Sequence, residues 1–323
     1  MSSRLPSLIA AVTAASVAGA VFTVPAAAHA ESVLRADQAI EIPCRTTVLR
    51  LRSDWFIPAG APKGLIWLQH GFARTGAHVS GLATHFAEAG YLVFTPTLPF
   101  MDLGGCTLQN LTGNREFLNS VAALFATATD PASTLGVSLS DALERSGRAP
   151  MPMPEQMIFL GHSAGAEAVA YVANRLHAAH SAAWADLRGL ILLDPVKSFV
   201  DNNTDASLTA LDGTGLPIQT ISAAPSWCNS LGTGTTAVQT YLHRPFLGVR
   251  VPGGSHVDAE GTSSDTLGSL VCGSPQTAHV SALDALAVGW ADDYLSGAST
   301  VTLYPDASGQ VAAAPGAEVL RPF

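Results

Sequence analysis

Short, mostly apolar runs alternate along this chain with longer stretches in which apolar residues recur at three- and four-residue intervals. Residues 47–56 alternate apolar and polar, the pattern of a strand with one buried face. Residues 64–68, 91–96, 156–160, 190–193, 217–222 and 246–251 are the short apolar runs, and they predict strands inside a sheet. Residues 79–89, 111–127, 164–177 and 280–295 carry helical spacing. Strands alternating with helices predict an α/β fold, a mostly parallel central sheet with helices on both faces. No linker, composition break or repeat divides residues 31–323, which predicts a single domain. Residues 131–154 read as an insertion, one helix and a Met- and Pro-rich loop over the surface. Residues 298–323 read as an edge hairpin or a loose tail.

The first thirty residues stand apart. Arg4 follows the amino terminus, residues 8–24 are small and apolar, and Ala28-His29-Ala30 has the form that signal peptidase accepts. This predicts a secretory signal cut after Ala30 and an extracellular protein. An uncleaved anchor is the competing reading, because the run approaches the length of a membrane span. Export gives the four cysteines a meaning: an even number in an oxidising compartment predicts two disulfides. Three pairings are open, and joining chain neighbours favours Cys44–Cys106 and Cys228–Cys272. There is no CxxC and no zinc-spaced His pair, so neither a metal nor another cofactor is expected. With 48% hydrophobic and 13% charged residues the chain is not a disordered one. Its net charge of -9 is the wrong sign for neutralising phosphates, which disfavours nucleic acid as a partner. No stable protein partner is implied.

The sharpest chemical signal is Gly161-His162-Ser163-Ala164-Gly165, a G-x-S-x-G between a predicted strand and a predicted helix. A serine on so tight a turn is held in a strained conformation that lifts its hydroxyl clear of the sheet, and small neighbours let strand and helix close up. A serine in an ordinary β–α loop is the bland alternative. Neutral serine needs a base, and the base needs an acid to orient it. On such a sheet the order is serine, acid, histidine. Among the histidines after the serine, His256 hangs on a flexible loop beyond the strand at 246–251, whereas His243 precedes that strand and His279 opens the last helix. Asp194 ends the strand at 190–193, and the next strand ends without a carboxylate. Asp201, Asp205 and Asp212 lie on the loop beyond Asp194, and Asp258 is too near His256 in sequence. Two backbone N–H groups would hold the oxyanion: Ala164, just after the nucleophile, and Phe72 in His70-Gly71-Phe72. His70 would support that loop.

Taken together, the strand-HGF, GHSAG, strand-DPV and GGSHVD blocks resemble the α/β-hydrolase superfamily over residues 45–295. Leu193-Asp194-Pro195-Val196 after GHSAG, with His256-Val257-Asp258, is similar to chlorophyllases, although those usually carry Arg-Gly where Ala164-Gly165 stand. Pancreatic-type lipases also hold an acid in an LDP setting. Secreted polyester hydrolases and cutinases share the export signal, the HGF-type loop and a late disulfide, but keep their acid on the following strand. The resemblance implies a serine esterase or lipase with an α/β-hydrolase fold.

Only a short stretch separates Asp194 from Leu216, too short for a large cap domain, so a shallow, open cleft is expected. Phe72, Trp227 and Met101 are candidates to line it. An exported enzyme with such a cleft suits hydrophobic acyl esters, from soluble esters to a lipid or polymer surface. An acyltransferase with the same triad, an exported peptidase and a catalytically silent binding protein on this fold are the competing readings.

Overall fold

The computed structural model describes residues 32–179 and 181–323, and the predicted secretory signal lies outside the described residues. The chain opens with an antiparallel hairpin, β1 (Leu34–Cys44) and β2 (Thr47–Ile57). There follow β3 (Leu65–Gln69), α1 (Ser80–Glu88), β4 (Leu92–Pro96), α2 (Arg115–Ala126), α3 (Thr134–Arg145) and β5 (Met157–His162). Next come α4 (Ala164–Ala178), α5 (Ala182–Asp186), β6 (Leu187–Leu193), α6 (Thr204–Asp212), β7 (Ile218–Ser222) and α7 (Thr233–Tyr241). The last elements are β8 (Gly248–Arg250), α8 (Thr266–Cys272), α9 (Thr277–Ser296) and β9 (Glu318–Leu320). Among the described residues no helix is long and apolar enough to cross a membrane.

The strands form one sheet in the order β1-β2-β4-β3-β5-β6-β7-β8-β9. From β4 to β8 the neighbours run parallel, β2 is antiparallel to β1 and β4, and β9 is antiparallel to β8. This is the arrangement of the α/β-hydrolase fold. Every residue of β3, β4 and β5 is buried, because helices cover both faces. On one face Trp67, Phe94 and Phe159 pack with α2, α3, α4, α6 and α7. On the other, Ile66, Leu68 and Val93 pack with α1 and α9. All parallel strands point the same way, so their C-terminal ends share one edge, where ligands of open α/β sheets bind.

Three expectations need correction. α3 is not a surface insertion: Leu135, Leu139, Ala142 and Leu143 are buried, and Ser138 Oγ accepts a 3.0 Å hydrogen bond from Trp55 Nε1. The β1–β2 hairpin extends the sheet, and its apolar face needs this cover. The tail is neither hairpin nor loose, since Glu318–Leu320 pairs with β8 and closes the sheet edge. The second predicted helix starts at Arg115, because the Asn114 side chain is bound to the carbonyls of Thr107 and Leu108 and holds the preceding turn.

Candidate active site

β5 ends at His162 and α4 begins at Ala164, which leaves Ser163 alone on the turn. Its φ of 57° and ψ of −122° are strained for a residue with a side chain. Glycine makes the turn feasible. A Cβ on Gly165 would lie 2.5 Å from the carbonyl oxygen of Gln69, and one on Gly161 would overlap the backbone of Gly165. Strand and helix therefore approach more closely than any side chain would permit.

Asp194 follows the last residue of β6, also at a positive φ, 39°. Its backbone N–H donates to the Ile221 carbonyl of neighbouring β7 at 2.7 Å, so the turn is pinned to the sheet. His256 lies beyond β8, at the start of a 3-10 turn (His256–Ala259). Ser255 and Asp258 cap that turn, and Asp258 accepts from the Ser255 N–H at 2.7 Å and the Gln276 N–H at 3.0 Å. His256 Nδ1 donates to Asp194 Oδ2 at 2.6 Å across 62 residues of sequence. Both side chains are buried, so the contact is shielded from solvent. The other acids and histidines are occupied elsewhere: Asp201 with Arg115, Asp205 with Lys197, and His243 with Asp212.

Ser163 and His256 line one cleft of about 290 Å³, together with Gly71, Phe72, Arg74, His162 and Glu260. Gly71 presses against the serine, where an added Cβ would stand 2.8 Å from Ser163 Cβ and 3.3 Å from Oγ. The Phe72 N–H belongs to this apposed loop. Ala164 opens α4, where first-turn N–H groups have no intrahelical acceptor. Phe72 is part of the cleft wall, its ring edge-on to Phe100 at 5.4 Å. Trp227 is a correction: it is 89% exposed and stands outside the lining residues, on a loop turned to solvent. Met101 is likewise exposed. The expected openness also needs revision. No cap lies between Asp194 and Leu216, where α6 packs its Leu208 and Leu211 into the core. A wall comes instead from α8, which contributes Leu267, Gly268, Val271 and Cys272.

Both disulfides join chain neighbours, Cys44–Cys106 and Cys228–Cys272. The second ties the loop after β7 to the end of α8. Among the described residues no group of His, Cys, Asp and Glu side chains is arranged to hold a metal ion.

Several supporting residues surround these groups, of which the sequence pointed only to His70. His162 Nε2 donates to the His256 carbonyl at 2.8 Å, and the two rings lie 4.7 Å apart. Burial, then the neighbouring His256, lowers the His162 pKa well below 6.5 and keeps it neutral. Burial likewise lowers His70 to about 4, and its Nδ1 donates to the Gly71 carbonyl at 2.8 Å. Glu167, one helical turn after Ser163, accepts from the Ser198 N–H at 3.0 Å and the Thr204 hydroxyl at 2.7 Å. It anchors the loop beyond Asp194, and its burial outweighs those bonds and raises its pKa. Arg74 donates to Glu260 at 2.7 Å and Asp265 at 3.3 Å, which binds the Phe72 loop to the His256 segment. Asn229 donates to Asp194. The one sequence signal for it was the loop after β7, which lacked the carboxylate such loops often supply.

No protein-family model and no curated protein matches the chain. Among solved structures it is similar to a dienelactone hydrolase from Anabaena variabilis, at 15% identity and a TM-score of 0.47, over 80% of this chain and 98% of that one. It is similar to an arylesterase at 14% identity and a TM-score of 0.49, over 80% and 84% of the two chains. It is also similar to Est1E from Butyrivibrio proteoclasticus, at 12% identity and a TM-score of 0.47, over 80% and 99%. The chain's own strand order, with a strained serine turn after β5 and an acid after β6, is that of an α/β-hydrolase-fold protein.

Proposed function

We propose that this protein is a secreted serine hydrolase that cleaves carboxylic esters of hydrophobic acyl groups, polyesters included. One observation carries the reading: His256 is hydrogen-bonded to Asp194 while sharing a cleft with a serine held on a strained turn. Ser163 Oγ attacks the ester carbonyl as His256 Nε2 takes its proton. Asp194 holds the imidazole and offsets its charge. The N–H groups of Phe72 and Ala164 receive the oxyanion. The alcohol leaves with the proton from His256, and water then releases the acid from the acyl-enzyme by the same steps in reverse. Phe72, Leu267 and Val271 give the cleft an apolar lining suited to the acyl chain.

A fluorophosphonate probe tests the reading directly. The wild type should be labelled at Ser163 and should turn over a p-nitrophenyl ester series. Ser163→Ala should lose both label and turnover, with an unchanged melting midpoint. A labelled serine without ester turnover would leave the fold's chemistry intact and remove the ester. Two disulfides support an oxidising compartment. Amino-terminal sequencing of exported protein should begin at Glu31, and retention of residues 1–30 would favour the anchor.

A further inference from the structure

The loop after β7 offers Asp194 an amide. Asn229 is fully buried, and its side chain bonds in two directions. Oδ1 accepts from the backbone N–H groups of Ser226 at 2.7 Å and Gly232 at 3.0 Å. Nδ2 donates to Asp194 Oδ2 at 3.1 Å and Oδ1 at 3.3 Å, and to the Ala224 carbonyl at 2.9 Å. The chain around it is held in an unfavourable shape. Ser230, Leu231 and Gly232 have consecutive positive φ values of 51°, 58° and 75°. Two of them carry side chains that disfavour this region, and Leu231 remains 61% exposed, so burial does not select the conformation. The amide, with backbone bonds such as Leu231 N–H to the Ser226 carbonyl at 2.7 Å, holds it: its acceptor half gathers the loop while its donor half faces Asp194.

Asp194 has one other fixed donor on Oδ1, the Ala223 N–H at 3.0 Å. Without Nδ2 the carboxylate would hang on that one fixed bond and could rotate about it, loosening the placement of Oδ2 against His256. We propose that Asn229 is a positioning residue: its N–H fixes the Asp194 carboxylate so that Oδ2 meets His256 Nδ1. The inference rests on the serine-hydrolase reading above. The remaining titratable groups around the pair are His162 against the His256 ring, Asp258 with His279 behind the 3-10 turn, and Arg74 with Glu260 along the cleft.

Asn229→Asp separates the two halves of the side chain. A carboxylate still accepts from Ser226 and Gly232 but offers no N–H to Asp194. Asn229→Ala removes both halves. The measurement is kcat and KM on a soluble p-nitrophenyl ester across pH, per active site titrated with fluorophosphonate. Asn229→Asp should lose kcat by roughly 10- to 100-fold, as expected for losing a hydrogen bond to a charged group, with KM changed by less than about twofold. Its pH profile should change as well, because two buried carboxylates at hydrogen-bond distance share a proton and Asp194 is then no longer fully ionised. Asn229→Ala should lose kcat and thermal stability together.

Wild-type kcat and pH profile in Asn229→Asp would overturn the proposal and reduce Asn229 to a loop cap. So would an Asn229→Ala that loses stability alone, and this variant decides the matter if the aspartate does not fold. Absence of label on the wild-type Ser163 would instead bring down the hydrolase reading, and the positioning role with it.

Discussion

At the scale of single residues, the site is built from side chains that the fold keeps in costly states. Ser163 and Asp194 both sit at positive φ, and neither is glycine. His70 and His162 are buried and neutral, because burial disfavours the charged form. That has a consequence for stability. In the unfolded chain both histidines take up protons as pH drops below about 6.5. Their folded pKa values are depressed, so the stability they allow is present above that pH and is lost as pH falls through the folded value, about 4 for His70. For His70 the full loss is about 3 kcal/mol. The melting midpoint should therefore decline between pH 6.5 and 4, and His70→Gln should flatten part of that decline. Identical slopes for the two proteins in a pH series of thermal melts would refute this account of His70.

At the scale of elements, legibility followed burial. β3 to β7 were readable because strands covered on both faces leave continuous apolar runs. The places of Ser163 and Asp194 were readable for a related reason, since each directly follows such a strand, and His256 comes beyond the shorter β8. β1 escaped because its inward-facing positions include the polar Gln38 and the small Ala36, which blur the apolar alternation. α8 escaped because it is only seven residues long: Leu267, Leu270 and Val271 have helical spacing, but over fewer than two turns and on an exposed face, with Gly268 its one buried residue. What holds α8 is distant in sequence: a cap from Asp265, the ion pairs of Asp265 with Arg74 and His78, and the disulfide at Cys272. Asn229 and Arg74 were illegible because a lone polar residue on a loop acquires meaning only from its partner. Arg74 has the larger energetic stake, since its side chain is 12% exposed and that of Glu260 is wholly buried. Removing one member of such a pair strands the other charge. Arg74→Met should destabilise the fold by about 3 kcal/mol, and Arg74→Met with Glu260→Gln should recover much of it. Urea unfolding of the singles and the double would measure this, and a single Arg74→Met within experimental error of wild type would refute it.

At the scale of the whole molecule, the two disulfides differ in what they tie together. Cys44–Cys106 spans 62 residues and fastens the end of β1 to the loop after β4. Cys228–Cys272 spans 44 residues and joins the loop that carries Asn229 to the end of α8. The Cys272 carbonyl also accepts a 2.8 Å hydrogen bond from the hydroxyl of Ser255, the residue before His256. One link therefore runs from the loop that carries Asn229 to the segment of His256. Loop-closure entropy treats the two bonds as near equals, about 4 kcal/mol each, or on the order of 10 °C in melting midpoint. Their effects on catalysis should differ nonetheless. Replacing Cys44 and Cys106 by serine should lower the midpoint and leave kcat per folded molecule intact. Replacing Cys228 and Cys272 should lower both, because the acid loop and the histidine turn then settle independently and the Asp194–His256 contact loses its definition. Kinetics run well below both midpoints separate the two effects. Equal kcat in the two paired variants would mean that the sheet alone holds acid and base in register, with the late disulfide contributing to stability only.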